Sequence, residues 1–158
     1  MEKIFLLITL ILLVTAKAEA IDISAVGSWP DTIDVSDLQA GAGSNLIDTY
    51  ESGAGATVLT ISTTTGNTDN WRVDVRRTDT TWYGNLHLFV KRTSDGAGGG
   101  SISGGLSYIE IKTTDSQFFS GAGDRSGINL EYKLTGMSVS VPPNAYSTTV
   151  TYTVVDTP

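Results

Sequence analysis

His87 is the only histidine in the chain and the first residue to consider for chemistry. Serine-type triads and most zinc sites need at least one imidazole. His87 lies between Leu86 and Leu88 in a stretch that alternates like a β-strand. The chain also has no cysteine, which excludes thiol catalysis and cysteine-ligated metals. We therefore interpret His87 as a structural or surface residue.

Paired carboxylates are the second candidates, because two acids facing each other across a cleft can hydrolyse a glycosidic bond. The acids within predicted strands are Asp74, Glu110 and Glu131, and each has an apolar residue on both sides. Since side chains alternate along a strand, this spacing places the three acids on solvent-facing sides. The sequence thus predicts no catalytic residue and no enzyme.

Loop residues with oxygen ligands are candidates for calcium binding. They are Asn67, Asp69, Asn70, Asp79, Asp95 and Asp124. Their spacing matches neither an EF-hand loop nor a nonapeptide calcium repeat, and Asp and Asn are common in turns for backbone reasons alone. The glycines at 98–100 lack the Lys-Ser/Thr pair of a phosphate-binding loop. We predict no metal or cofactor site, with a structural calcium ion left open.

Two aromatic residues, Trp82 and Tyr83, are the candidates for a ligand site, since exposed rings on β-sandwiches can stack on sugars. Trp71 follows the inward phase of its own strand and is assigned to the core. A surface polysaccharide is therefore one predicted partner.

The elements that must position these residues are strands. Apolar and polar residues alternate over 21–26, 56–62, 71–77, 82–92, 106–112 and 128–136. Turn residues separate about seven to nine such runs, and no helix is predicted after residue 20. The composition, rich in Thr, Ser, Gly and Val, agrees. We predict an all-β fold, a single antiparallel β-sandwich of Ig-like or fimbrial-like type, with a small closed barrel as the alternative.

The C-terminal run from residue 128 to 155 carries the clearest alternation. Val150, Tyr152 and Val154 are predicted to face inward, with the threonines at 149, 151 and 153 facing outward. A short strand is predicted around Val139 and Val141. Together with the strand over 128–136, these form a predicted antiparallel meander. By contrast, the glycine-rich stretch over 95–105 predicts an exposed, flexible loop.

The N-terminal residues 1–20 have the features of a cleaved signal peptide. An apolar run over 4–14 follows Lys3, and Ala18-Glu19-Ala20 fits a small-x-small cleavage site. The run is too short to span a bilayer comfortably, so we expect no membrane span after cleavage and one domain over 21–158. We expect the protein to be secreted or displayed at the cell surface.

The net charge is −7, and it stays −7 without residues 1–20, which carry two acids and two bases. An acidic, lysine-poor surface argues against binding nucleic acid or anionic lipid. The absence of cysteine also means that no disulfide stabilises the domain, although small exported domains often use them. Stability must come from the core, from bound ions or from association with other chains.

The ending over 139–154, VSVPPNAYSTTVTYTV, resembles the last strands of exported bacterial surface β-sandwiches. The shared pattern is a V-x-V-P strand, a turn, and Tyr-x-x-x-Val-Thr-Tyr-x-Val. It is similar to the ends of spore-coat-U and fimbrial-type domains. The resemblance implies a structural or adhesive role, and many of those proteins assemble by strand donation. Unlike the cysteine-bearing members, this chain has no cysteine pair.

These observations favour a structural or assembly role, such as a filament, pilus or coat subunit, with self-association through edge strands. The alternative is a monomeric module that binds carbohydrate or another ligand. The candidate donor strand carries Ile21, Ile23 and Val26, and Gly27 and Pro30 separate it from the rest of the chain. It can pair within its own sheet or fill an edge in a neighbouring subunit.

The signal peptide yields the first testable prediction. N-terminal sequencing of the exported protein should give Ile21 as the first residue, because cleavage is expected after Ala20. A mature protein that still begins at Met1 would contradict it.

Overall fold

The computed structural model describes residues 20–157 of the chain. Within them lie eleven strands and one 3-10 helix, Val35–Asp37. The strands are β1 Asp22–Gly27, β2 Tyr50–Glu51, β3 Thr57–Ser62, β4 Asn70–Thr81, β5 His87–Arg92, β6 Ala97–Gly98, β7 Ile102–Gly104, β8 Ile109–Glu110, β9 Ser116–Ala122, β10 Arg125–Thr135 and β11 Ser147–Asp156. No helix in this part of the chain is long and apolar enough to cross a bilayer. Residues 1–19 of the predicted signal peptide lie outside the described residues, so its cleavage stays a prediction.

Two antiparallel sheets make up the fold, which confirms the predicted β-sandwich class. The first sheet has seven strands in the order β1-β3-β10-β5-β8, and the short strands β2 and β6 also pair with β10. The second sheet has four strands in the order β11-β4-β9-β7. The longest strands of the two sheets, β10 and β4, therefore both lie inside their sheets, where each pairs on both sides.

The core between the sheets is built by the inward phases that the sequence displays. Trp71, Val73 and Val75 of β4 are fully buried, as their alternation predicts. Across from them, Leu130 and Ile128 of β10 are also fully buried. Burying an aliphatic side chain of this size contributes about 1.5–3 kcal/mol, so this core is the main source of stability in a domain without disulfides.

A second, smaller cluster closes one end of the sandwich. Its buried members are Leu86, Met137 and Val141. Partly buried residues from the loops pack on it, namely Ile33, Leu46, Tyr50, Trp82, Tyr83, Leu134 and Tyr146. The long connections before β2 and before β11 are therefore held by apolar contacts.

The predicted C-terminal meander is wrong in its connectivity. β10 lies in the seven-stranded sheet and β11 in the four-stranded one, so the chain crosses between the sheets after residue 135. The segment over 138–141 is a turn and not a strand, with Val139 exposed and Val141 buried in the small cluster. The side-chain phase of β11 is as predicted: Val150, Tyr152 and Val154 pack against the main core.

The strand predicted over 106–112 is reduced to the two residues of β8, and two further segments also differ from the sequence-based prediction. The glycine-rich stretch over 95–105 contains the short strands β6 and β7, and is therefore not only a loop. The expected strand over 82–92 begins at His87, because β4 continues as far as Thr81. In both places glycine or turn residues interrupt the alternation of apolar residues, so the sequence pattern does not indicate where the strand begins or ends.

One glycine permits a close contact inside the core. A Cβ atom on Gly121 of β9 would lie 2.5 Å from the Trp71 ring and 2.6 Å from the carbonyl oxygen of Ser101. Gly121 also pairs with Trp71 in the ladder between β4 and β9. Trp71 can occupy its buried position only because this neighbour has no side chain.

The contact predicts a large effect from a small substitution. Gly121→Ala should lower the free energy of unfolding by about 1–3 kcal/mol, because the added methyl group overlaps the indole ring. Urea denaturation followed by tryptophan fluorescence measures it. Gly84→Ala is the matched control, since a Cβ there meets nothing within 4 Å and should change stability little. Equal stabilities for the two variants would contradict this packing.

Candidate functional site

The single histidine makes a hydrogen bond with a glutamate on the outer face of the seven-stranded sheet. Its Nδ1 lies 2.6 Å from Oε1 of Glu110, and both side chains are at least one-third exposed. The pair joins the start of β5 to β8 at the sheet margin. This geometry agrees with the structural or surface role predicted for His87.

The three strand-borne acids each have a basic or hydroxyl partner on a sheet surface. Asp74 pairs with Arg72 at 3.1 Å on the four-stranded sheet, while Glu110 and Glu131 belong to the other sheet. The three acids therefore do not converge on one cleft. The acids lie on the outer faces as predicted, but the Asp74 and Glu131 side chains are only 13% and 12% exposed because their partners cover them.

The outer face of the seven-stranded sheet carries a polar cluster that sequence reasoning did not identify. The Tyr108 hydroxyl donates to Oε1 of Glu131 at 2.6 Å, and Lys91 Nζ lies 3.1 Å from the same oxygen. The ammonium groups of Lys91 and Lys133 lie 4.5 and 4.1 Å from the centroid of the Tyr108 ring. The available signal was the outward phase of Glu131 and Lys133 on one strand and of Lys91 on the next.

The contacts in this cluster stabilise the ordinary charge states of Glu131 and Tyr108 and do not activate either group for chemistry. The hydrogen bond from Tyr108 lowers the pKa of the Glu131 carboxyl, with Lys91 acting in the same direction against the opposing effect of burial. Burial, followed by Glu131 itself, raises the pKa of the Tyr108 phenol. Both groups are thereby held in their ordinary neutral-pH states, an anionic carboxylate and a neutral phenol.

The loop acids considered as calcium ligands have protein partners: Asp79 pairs with Arg77 and Asp95 with Arg92, while Asp69 and Asp124 bind a threonine loop. Asp124 Oδ1 accepts hydrogen bonds from the amide and the hydroxyl of Thr64, and Asp69 accepts one from the amide of Thr65. These contacts shape the connection between β3 and β4. Within residues 20–157, no three His, Cys, Asp or Glu side chains are grouped so that they could hold a metal ion.

Both candidate ligand aromatics take part in packing. Trp82 donates its indole N–H to the Leu86 carbonyl at 2.9 Å, and the Arg77 guanidinium covers its ring at 4.8 Å from the centroid. Tyr83 packs beside Tyr146, with 6.4 Å between ring centroids. Both are half-buried, so the structure brings them together as parts of the small end cluster rather than as a free aromatic platform.

The candidate donor strand lies at the edge of the seven-stranded sheet of its own chain. β1 pairs with β3, placing Ile23 opposite Ile61 and Val26 opposite Val58. Ile21 and Ile23 pack against the main core, whereas Val26 has the opposite phase and is 72% exposed. Within one chain, the segment is thus the first strand of its own sandwich, one of the two alternatives left open by the sequence.

Among residues 20–157, the longest free edge belongs to β11, which pairs along its ten residues with β4 and with no other strand of this range. On its inner side, the Tyr152 hydroxyl lies 2.9 Å from that of Tyr132, which in turn donates to Thr57. These bonds join β11 to the opposite sheet. Its other flank has no strand partner among the described residues, and alternate residues of an edge strand point their amides and carbonyls to that side.

β11 lacks the features by which edge strands usually avoid pairing. From Ser147 to Val155 it contains no charged residue, no proline and no glycine. Its only irregularity is a register shift between Ser147 and Thr148. Lysines, prolines and mid-strand bulges normally protect such an edge, and β11 has none of them over most of its length.

The opposite side of the sandwich is protected by short strands. β7 has three residues and β8 has two, and they form the other margins of the two sheets. Gly104 ends β7 and Gly105 follows it, both with positive φ, so the backbone turns away from the ladder there. β1 and β11 contact each other on the other side of the sandwich. That side therefore has the two longer edge strands, whereas the side with β7 and β8 has only short ones.

A shallow apolar groove of about 310 Å³ lies at the end of the sandwich. Its aliphatic lining comes from the segment after β1 and from the turn before β11, with Val35 and Val139 the most exposed members. The carboxylate of Asp34 at its rim caps the 3-10 helix by accepting from the Ser36 amide at 2.8 Å. The groove is therefore shaped by local turn contacts.

Comparison of the chain with protein-family models, with curated proteins and with solved structures finds no match in any of the three. Function must therefore be inferred from the geometry of the sandwich, in which the free edge of β11 is the least protected feature.

The Tyr108–Glu131 contact predicts a pH-dependent stability difference. Tyr108→Phe removes a hydrogen bond to an anionic carboxylate and should lower the free energy of unfolding by about 1.5 kcal/mol at pH 7. Because the folded-state pKa of Glu131 is lowered, this contribution is present above the unfolded-state pKa of about 4.3 and is lost as pH falls through the folded value. Urea titrations at pH 7 and near pH 3 measure the difference.

Tyr83→Phe is the matched control, since it removes a phenol that has no carboxylate partner among the side-chain hydrogen bonds of the described residues. Its effect should be the same at both pH values. If Tyr108→Phe loses the same free energy at pH 3 as at pH 7, the hydrogen bond to ionised Glu131 is not the cause.

Proposed function

We propose that this protein is a secreted or cell-surface structural subunit that associates with other chains through the edge of its β-sandwich. The single observation that carries the proposal is the free edge of β11, ten residues long and uncharged from Ser147 to Val155. An edge of this kind is a template for another strand, and natural monomers usually blunt it. Backbone hydrogen bonds would supply affinity, and the side chains on either face would supply register.

Three further features support the same proposal. The apolar run over 4–14 with its Ala18-Glu19-Ala20 site favours export. A small exported domain without disulfides gains stability from association, since burial at an interface adds to a limited core. The resemblance of residues 139–154 to fimbrial-type and spore-coat-U domains points to the same class, that of filament, pilus or coat subunits.

The mode of association favours β11 over donation of β1. If cleavage follows Ala20, only Ile21 precedes β1, so no additional segment remains to be donated. β1 itself would have to leave β3 and uncover Ile61, which is 1% exposed. Pairing on the free flank of β11 does not require β11 to leave its own sheet.

The carbohydrate-binding alternative gains no specific support. Its two candidate residues, Trp82 and Tyr83, are half-buried, and the ring of Trp82 is already covered by Arg77. Stacking on a sugar would require an exposed ring face.

The proposal predicts that the exported chain is larger than a monomer in solution. Light scattering after size-exclusion chromatography, with electron microscopy of the same fractions, measures its size. Thr151→Lys places a charge in the middle of the β11 edge and should weaken association by about tenfold or more, because like charges meet when two such edges pair.

Ser103→Lys is the control, since Ser103 is exposed on β7, the other margin of the same sheet. It should leave association unchanged. A parent chain that stays monomeric at high concentration would refute the proposed function.

A further inference from the structure

Only one side of this sandwich offers an extended edge, and this restricts how copies can associate. β11 forms that margin of the four-stranded sheet, whereas β7 and β8 on the other side have three and two residues. Head-to-tail growth through strand pairing needs two different extended edges on each subunit. On the extended side β1 is a six-residue edge and β11 a ten-residue edge, so pairing β11 with the β11 of a second copy gives the longest ladder.

The charge pattern of β11 selects the direction of pairing. Asp156 is the only charged residue of the strand and lies at its last position. Parallel pairing would bring the Asp156 carboxylates of two copies side by side, in a protein whose net charge is already −7. Antiparallel pairing places them at opposite ends of the ladder.

The register follows from the same pattern. The uncharged stretch from Ser147 to Val155 has Thr151 at its centre, so a ladder about Thr151 pairs the whole stretch with itself and leaves Asp156 outside. Facing residues share a sheet face, so Thr151 meets Thr151 and Thr149 meets Thr153 on the outer surface. Threonine pairs across neighbouring strands are favourable.

We infer that the partner of β11 is the β11 strand of a second copy of this chain, paired antiparallel about a two-fold axis at Thr151. The two four-stranded sheets then form one continuous eight-stranded sheet across the dimer. This inference rests on the proposed function and makes it specific: strand pairing closes at a dimer and does not itself propagate into a fibre.

β1 is the weaker candidate for the partner strand. It is also a sheet edge, but it has six residues against ten in β11, and Gly27 at its end has a φ of 135°. Each strand carries one charged residue at an end, Asp22 in β1 and Asp156 in β11, so the uncharged run is shorter in β1.

Disulfide trapping in the full chain tests the register, because the protein has no cysteine of its own. Thr151→Cys should form a covalent dimer under mild oxidation, since facing Cα atoms in an antiparallel ladder are about 4.5–5.5 Å apart, within the range for a disulfide. Thr149→Cys alone should not, because its copies lie about four residues apart along the strands, roughly 13 Å. A mixture of Thr149→Cys and Thr153→Cys should give the mixed dimer.

Ser103→Cys on β7 is the matched control and should stay unlinked. Three outcomes would overturn this inference and leave the proposed function standing, each in a chain that associates. They are a covalent dimer of Ser103→Cys, a covalent dimer of Thr149→Cys alone, and open fibres in which Thr151→Cys stays unlinked. A chain that never associates would refute both. Trapping of Thr151→Cys as a dimer, with the other single variants monomeric, supports the two-fold arrangement.

Discussion

Burial of the inward-facing side chains between two sheets is the constraint on which the rest of this structure depends. No disulfide links the sheets, so the alternation of apolar residues in β3, β4, β5 and β10 must hold them together. Trp71 anchors this core: its ring packs edge-on against Phe119, and its N–H donates to the Gly123 carbonyl at 2.9 Å. The core also fixes which strand residues reach the surface, because the same alternation that turns one residue inward turns its neighbour outward.

The sequence predicted the side-chain phases better than it predicted the connections. Trp71, Val73 and Val75 are buried as expected, and β11 has the expected inner row of Val150 and Tyr152. The meander failed because alternation is a property of one strand and does not record which strand is its neighbour. Val139 and Val141 alternate in sequence, but the prolines that follow and the contacts of Val141 in the end cluster make that segment a turn.

The polar residues that sequence analysis missed show the same limit. Arg92 is 3% exposed, and its guanidinium donates to the carbonyls of Gly104 and Ser94, which holds the glycine-rich stretch against β5. Arg92 lies two residues after Val90 and four after Leu88, so strand alternation turns it inward with them. Its carbonyl partners lie outside β5, and alternation along one strand does not indicate which residues of another segment lie near it. Tyr108 likewise reaches Glu131 from outside any strand, so its place in the polar cluster depends on tertiary structure alone.

The two margins of the sandwich reflect different solutions to one physical problem, the unpaired backbone groups of edge strands. On one side short strands and glycines end each ladder after two or three residues. On the other, β11 continues for ten residues and is fixed from inside by the hydroxyl contact between Tyr152 and Tyr132. That contact and the buried valines orient the strand, leaving threonines on its outer face and its backbone flank open. The proposed association uses this uncharged edge because, in a chain with a net charge of −7, an uncharged strand opposes contact between copies least.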